Sequence, residues 1–284
     1  MDDIIKKAGI LVEAIPYIHA FRRKVFVIKY GGSILDNAPI RKNVLEDIVF
    51  LSYVGIRTIL VHGGGPQIST RLKENGLKSE FHEGIRITDA ATLKIVSEEL
   101  EKLNQQIVAE IKALKGDVTG LKGQENIIYV QKKKSAKDLG FVGTITEVNR
   151  EAIDQHLKKG HITVVSPMGV SKDHKQTHNV NADEVASAIA SYLEAEKFVL
   201  LTNVTGVLSN PEDPDSLISS LTVEEVHNLI KKNVITAGMI PKVSSCIEAL
   251  NGGVKKTHII DARLNHALLL EIFTDQGVGT QIIQ

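Results

Sequence analysis

Tryptophan is absent from this chain of 284 residues, aromatics make up 4% of it, and cysteine occurs once, at Cys246. A single cysteine cannot close an internal disulfide, which points to a reducing compartment. Neither sign of charge is in excess: Lys plus Arg and Asp plus Glu each total 34, a formal net charge of zero. Without a basic surplus there is no global field to hold duplex nucleic acid, although a local basic pocket for a small anion is compatible with that balance. Long apolar runs are missing too. The stretch 10–21 is interrupted by Glu13, Pro16 and His19, and Met1-Asp2-Asp3 carries no basic segment, so neither a membrane span nor a secretory signal is expected. These absences predict a cytoplasmic protein with no nucleic-acid and no membrane partner.

The common nucleotide signatures are also lacking. No Gly-Lys dipeptide occurs, which removes the Walker A loop, and neither 63–68 nor 277–282 completes the dinucleotide fingerprint G-x-G-x-x-G. The catalytic loop and Asp-Phe-Gly of protein kinases are absent as well.

What is present is an ordinary globular composition, 43% hydrophobic and 24% charged. Runs rich in β-branched residues at 25–29, 56–62, 126–130, 161–166, 197–202 and 257–261 predict strands. Between them lie helical periodicities at 39–54, 88–115, 180–193, 223–231 and 238–250. In the longest, Leu93, Val96, Leu100, Leu103, Ile107 and Ile111 fall on one face, with Thr88 as expected N-cap and Gly116 as stop. The segment 141–148 reads as an inserted hairpin strand and 210–216 as a turn. The alternation predicts an α/β protein, a three-layer αβα sandwich around a mainly parallel sheet, in two lobes that share the sheet. The expected division is an N-terminal helix over 1–22, kinked at Pro16 and striped by Ile4, Ala8, Leu11, Ile15 and Ile18, then lobes over 23–193 and 194–284.

Chemistry is concentrated at strand-to-helix turns. Lys29-Tyr30-Gly31-Gly32-Ser33 and His62-Gly63-Gly64-Gly65-Pro66 each follow a strand. Glycines there let backbone N–H groups approach an anion, and the following helix start adds partial positive charge. Any tight turn uses glycine, but two such turns, one introduced by a lysine, favour phosphate or carboxylate binding. Asn179-Val180-Asn181-Ala182-Asp183 opens a helix with more amide and carboxyl groups than a cap requires. Lys242 in Gly238-Met239-Ile240-Pro241-Lys242 lies near a helix start, where it opposes the macrodipole unless an anion binds. His174 and His178 share i,i+4 spacing but lack a third ligand, so they read as a loop edging the site and no metal ligand is assigned.

Taken in order, these motifs, together with Gly84-Ile85-Arg86-Ile87-Thr88 and Leu201-Thr202-Asn203-Val204-Thr205-Gly206-Val207, resemble the amino acid kinase family. The likeness runs from about residue 8 to Thr280; position 203 is Asn where many relatives have Asp. The resemblance implies the family's fold and an ATP-dependent phosphotransferase with a carboxyl acceptor, here the side chain of N-acetyl-L-glutamate, narrowed to it by Arg86 and Asn179. The product is N-acetyl-L-glutamyl 5-phosphate, on the route to arginine. It implies Lys29 and Lys242 as transition-state stabilisers organised by Asp183, and Gly31, Gly32 and Gly64 as backbone N–H donors to the phosphoryl oxygens. Gly64, Gly65, Arg86, Asn179 and Asn181 would form the acceptor site, and Thr202, Asn203, Gly206, Ile235 and Thr236 the nucleotide pocket. An acceptor carboxylate is already ionised at neutral pH, so no general base is needed. Mg2+ would arrive with ATP, without a tightly bound cofactor. The N-terminal helix with Tyr17, together with His266, Glu271, Gly277 and Gly279, resembles the arginine-inhibited branch, which implies arginine as inhibitor and a hexamer built as a trimer of dimers. The 88–115 helix is then a candidate dimer contact. Nothing in the residues speaks for a PII-type signalling partner. Two competing readings are a sister kinase with another acceptor and a non-catalytic arginine sensor, though a pure sensor would need none of Lys29, Asp183 and Lys242.

Overall fold

A computed structural model describes Gly9 and residues 12–236, 238–274 and 277–284. Ile4, Ala8 and Leu11 of the expected N-terminal stripe lie outside the described residues. The chain runs through α1 (Ile15–Phe21), β1 (Val25–Tyr30), a 3-10 turn (Gly32–Asp36), α2 (Ala38–Tyr53), β2 (Arg57–His62) and α3 (Gly65–Glu74). It continues with β3 (Phe81–His82), β4 (Ile85–Arg86), α4 (Ala90–Ala113), β5 (Val118–Lys122), β6 (Ile128–Lys132), β7 (Gly143–Val148) and α5 (Arg150–Lys158). Next come β8 (Ile162–Ser166), β9 (Met168–Ser171), β10 (Thr177–Asn179), α6 (Ala182–Tyr192) and β11 (Lys197–Thr202). The last elements are β12 (Ser220–Thr222), α7 (Val223–Lys231), α8 (Ile240–Asn251), β13 (Lys256–Asp261), α9 (Ala267–Phe273) and β14 (Thr280–Ile283).

Eight strands form one sheet in the order β12-β14-β13-β11-β1-β2-β8-β5, parallel throughout its centre and antiparallel only between β13 and β14. Alternate residues of β1 explain the three layers. Phe26, Ile28 and Tyr30 pack with Leu45 and Ile48 of α2, Ile107 of α4 and Leu268 of α9. Val27 packs on the opposite side with Val185 and Ile189 of α6 and Val243 of α8. Strands buried on both faces read as continuous apolar runs, and β11 is buried at every position. The expected αβα sandwich is therefore present. A smaller sheet, β10-β9-β6-β7, holds the anticipated hairpin strand beside the cleft.

Several boundaries differ for local reasons. The long helix is capped by Asp89, which accepts from Thr92 N at 2.7 Å, and not by Thr88. Thr88 is instead pinned in a bridge to Gly140, its carbonyl accepting from Phe141 N at 2.7 Å. The helix ends at Ala113, with Lys115 in a left-handed conformation (φ 67°) just before Gly116. The strand expected from 126 starts at Ile128, because Asn126 takes a left-handed turn conformation (φ 63°). Val12 and Glu13 are helical too, the helix is interrupted at Ala14, and Pro16 stands in the first turn of α1, so the expected break in the N-terminal helix falls just before the proline.

Candidate active site

The adjacent strands β11, β1 and β2 run parallel and bring their carboxyl ends to one edge of the sheet. There the two glycine turns touch. A methyl group on Gly31 would lie 3.0 Å from Lys29 Nζ and 3.3 Å from Gly63 Cα, so both turns need a bare backbone. Gly63 N donates to Tyr30 O at 2.8 Å and ties the second turn to the first. Helix α3 starts at Gly65 with Gly64 as N-cap and Pro66 in its first turn, presenting free amides and the positive end of its dipole to the cleft.

Lys29 Nζ lies 2.8 Å from Asp183 Oδ1, an ion pair by distance rather than an aligned hydrogen bond, with both side chains largely shielded from water. Asp183 sits in the first turn of α6, and Asn181 caps that helix, its Oδ1 accepting from Asp183 N at 2.7 Å and Glu184 N at 3.3 Å. The cleft is lined by Lys29, Gly32, Gly63, Gly64, Gly65, Arg86, Asn179, Asn181 and Asp183, with Phe81 over one side. Gly31 packs beneath Lys29 and does not line it.

Arg86 is buried yet has no acidic partner among the described residues. Its guanidinium donates to Ser79 Oγ, to Gly65 O at 3.0 Å and to Ser69 Oγ at 2.9 Å, and stacks 4.6 Å from the centre of the Phe81 ring. Burial lowers its pKa, and a planar anion would restore the balance. Asn179 Nδ2 donates to Thr88 Oγ1 at 3.2 Å, which holds the amide at the cleft wall.

A second cavity lies beyond the end of β11, lined by Asn203, Gly206, Ile235 and Thr236 among others. Thr202 is not part of its lining. The Thr202 hydroxyl donates to Val204 O at 3.0 Å and accepts from Val204 N at 3.1 Å, so it builds the turn instead. Met239, Pro211, Pro214 and Arg263 also line this cavity and were not singled out from sequence; Arg263 is held by a bidentate contact to Asp261. Lys242, expected to share Asp183 with Lys29, instead donates to Gly238 O at 3.2 Å. No Lys242–Asp183 ion pair exists among the described residues, because the turn that carries Lys242 flanks the second cavity.

A third pocket, at the opposite end of β11, brings together Tyr17, Phe21, Lys197, His258, Glu271, Gly277 and Gly279. Lys197 Nζ donates to His258 Nε2 at 3.0 Å, and His258 Nδ1 donates to Glu271 Oε1 at 2.7 Å. Glu271 Oε2 accepts from Val278 N at 2.7 Å and Gly279 N at 3.1 Å. His266, grouped with these residues on the sequence, is elsewhere: its Nδ1 lies 2.6 Å from Asp47 Oδ1, where it opens α9 in a left-handed conformation. Lys197 and His258 were missed, although a lysine opening an otherwise apolar strand is a signal that the sequence carries.

Among the described residues no group of three His, Cys, Asp or Glu side chains converges as a metal site. His178 packs on Phe141 and His174 on Tyr129, each ring engaged apart from the other.

The sequence model of the amino acid kinase family matches residues 24–261. The chain belongs to the amino acid kinase family. Among its relatives, a protein named acetylglutamate kinase from Desulforamulus reducens is 47% identical over 282 residues, covering 98% of each chain. Another of that name, from Caldanaerobacter subterraneus, is 48% identical and covers 99% of this chain and 94% of the relative. Of solved structures, N-acetylglutamate synthase from Neisseria gonorrhoeae with coenzyme A and N-acetyl-glutamate superposes with a TM-score of 0.87 at 26% identity. It matches 98% of this chain, which spans only 63% of that longer one. Giardia carbamate kinase, at 17% identity and a TM-score of 0.70, shares the fold. Membership of a kinase family makes ATP the phosphoryl donor.

Proposed function

We propose that this chain transfers the γ-phosphoryl group of ATP to the side-chain carboxylate of N-acetyl-L-glutamate, giving N-acetyl-L-glutamyl 5-phosphate and ADP, the second step of arginine biosynthesis. The observation that carries the reading is near-full-length identity of about 47% to proteins named for this activity. It is supported by a buried guanidinium without an acidic partner, facing a cleft floored by a lysine and two glycine turns.

In the reaction, an acceptor carboxylate oxygen forms a bond to the γ-phosphorus while the bond to the ADP bridging oxygen breaks and its electron pair leaves with ADP. No proton needs to move. The obstacle is repulsion between two anions and the charge spread over the transferring group, so positioning and electrostatics are the means available. Lys29 and the free amides at Gly32 and Gly64 stabilise the phosphoryl oxygens, and Asp183 fixes Lys29. Lys242 reaches the phosphates from the nucleotide side, leaving Gly238 O as it does so. Arg86 takes the α-carboxylate of the acceptor, fork to planar anion, and Asn179 hydrogen-bonds its body. Asn203, Gly206, Ile235 and Thr236 shape the adenosine cavity. The substrate is MgATP: among the described residues Asp183 is the one carboxylate lining the cleft and is engaged by Lys29, a donor set that suits Mg2+ held by phosphates and water. The lobes divide near residue 193, with the acceptor on the first and the nucleotide on the second, and the reaction runs in the cytoplasm.

The third pocket is an arginine site. It combines a buried anion, Glu271, with the cation Lys197, a pairing suited to a guanidinium at one end and an α-carboxylate at the other. A second Neisseria gonorrhoeae N-acetylglutamate synthase structure, at 25% identity and a TM-score of 0.83, is described as complexed with L-arginine. Exposed Val12 and Ile15, on the same N-terminal segment as Tyr17 of this pocket, suit a hexamer in which N-terminal helices join dimers.

Hydroxamate formation with MgATP and N-acetyl-L-glutamate tests the reading, since hydroxylamine traps an acyl phosphate. Signal that arginine suppresses is expected; signal only with another acceptor, or none with any, overturns it. Arg86→Lys keeps the charge but loses the fork. It should raise KM for N-acetyl-L-glutamate about 30-fold with KM for ATP unchanged, the scale of a lost charge-assisted hydrogen bond. Equal changes in both constants would contradict that role.

A further inference from the structure

The residue before the second glycine turn, His62, is fully buried at the end of β2 and plays no part in the chemistry above. Its Nδ1 lies 2.8 Å from Gly63 O, and its Nε2 lies 3.3 Å from Asn104 Nδ2. A carbonyl can only accept, so Nδ1 carries the hydrogen and Nε2 is the acceptor. Asn104 agrees: its Nδ2 also donates to Val164 O at 3.2 Å, so one N–H serves each partner. Burial pushes the His62 pKa down to about 4, which keeps the ring in that neutral form. Asn104 is fixed in turn. Its Oδ1 is packed against Gly120 of β5 so closely that a methyl group there would collide with it.

The consequence lies in one peptide group. In a trans peptide the C=O and the following N–H point in opposite directions. With Gly63 O drawn into the interior by His62, the Gly64 N–H is turned outward to the cleft, where it donates to no acceptor among the described residues. Rotating that peptide would put a carbonyl oxygen where an anion has to sit. Helix α4 also supports this turn sterically, since a methyl group on Gly64 would lie 2.8 Å from Leu100 Cδ2.

We propose that His62 and Asn104 are positioning residues that lock the Gly63–Gly64 peptide with its N–H facing the transferring phosphoryl group. This inference rests on the functional reading above. It also gives α4 a direct hold on the cleft, through Asn104 on its buried face.

The test compares Asn104→Leu, His62→Leu and His62→Asn, the last keeping an N–H donor near the Nδ1 position. Both leucine variants are expected to lose about 100-fold in kcat, the scale of one oxyanion-type donor, with either KM within about threefold of wild type. His62→Asn is expected to retain kcat within about tenfold, and crystals of Asn104→Leu should show the Gly63–Gly64 peptide rotated. Folded leucine variants that turn over like wild type overturn the proposal, as does a slow Asn104→Leu whose peptide has not moved. Should His62→Leu fail to fold, His62→Asn and Asn104→Leu still decide. Acyl phosphate is measured first on the wild-type chain. Its absence defeats the functional reading, while the variant crystals still decide the peptide's orientation.

Discussion

Lys29→Ala is expected to lower kcat about 1,000-fold, because a fixed cation in a shielded cleft is worth more to the transferring phosphoryl group than a neutral donor. A second effect follows from the ion pair. Lys29 Nζ is 2.8 Å from Asp183 Oδ1. Without it, Asp183 faces the incoming triphosphate as an uncompensated negative charge. KM for ATP should therefore rise, and adding Asp183→Asn should restore ATP affinity without restoring turnover. Lys29→Arg separates charge from fit. The ammonium sits 3.0 Å from where a Gly31 methyl would be, room for a point charge but not a planar fork. It should remain at least about 100-fold slower than wild type. The measurements are kcat and both KM values by coupled ADP release, with ADP binding by calorimetry. A Lys29→Ala enzyme within tenfold of wild type would remove Lys29 from the mechanism.

The parts of this site that were legible in the sequence are those fixed by local chemistry. Glycine turns directly after strands, a lysine at a strand end and an Asn/Asp-rich helix start keep their meaning wherever the strands go. The αβα layering was legible because β1 and β11 are apolar on both faces, which a parallel sheet requires. What escaped was set by distant partners. Thr202 folds its hydroxyl onto its own turn, outside the lining of the nucleotide cavity, while Asn181 caps its helix through Oδ1 and still lines the cleft. His266 shares a sequence neighbourhood with Glu271 but answers to Asp47, 219 positions away. His258 was hidden for the opposite reason: it occupies a strand position that looks like core until the third pocket opens beside it, whereas Lys197 at the start of β11 was the legible signal. The His62–Asn104–Gly120 contact joins three elements, and no spacing rule announces it.

The third pocket yields the other large effect. Glu271→Gln should raise the arginine concentration for half-inhibition at least about 100-fold while leaving the uninhibited rate unchanged, since a charge-assisted pair is replaced by a neutral one. The side chain is well placed for that role: the His258 ring, Val278 N and Gly279 N all donate to it, and they hold its pKa below the usual glutamate value against the opposing effect of burial. Lys197 adds a pH signature. Burial, reinforced by Lys256, lowers its pKa to about 8, with Glu271 and Glu196 acting the other way. The ammonium is present below that value and is lost above it, so inhibition should be strong near neutrality and weaken as pH rises through about 8. Replacing Lys197 by methionine should weaken inhibition at neutral pH and flatten the profile. Arginine titrations of the initial rate from about pH 7 to about pH 9 decide it, the upper limit keeping the effector's own amine mostly protonated. Inhibition of equal strength across that range in wild type would show that Lys197 does not hold the effector's carboxylate, and a fully inhibited Glu271→Gln enzyme would place arginine elsewhere.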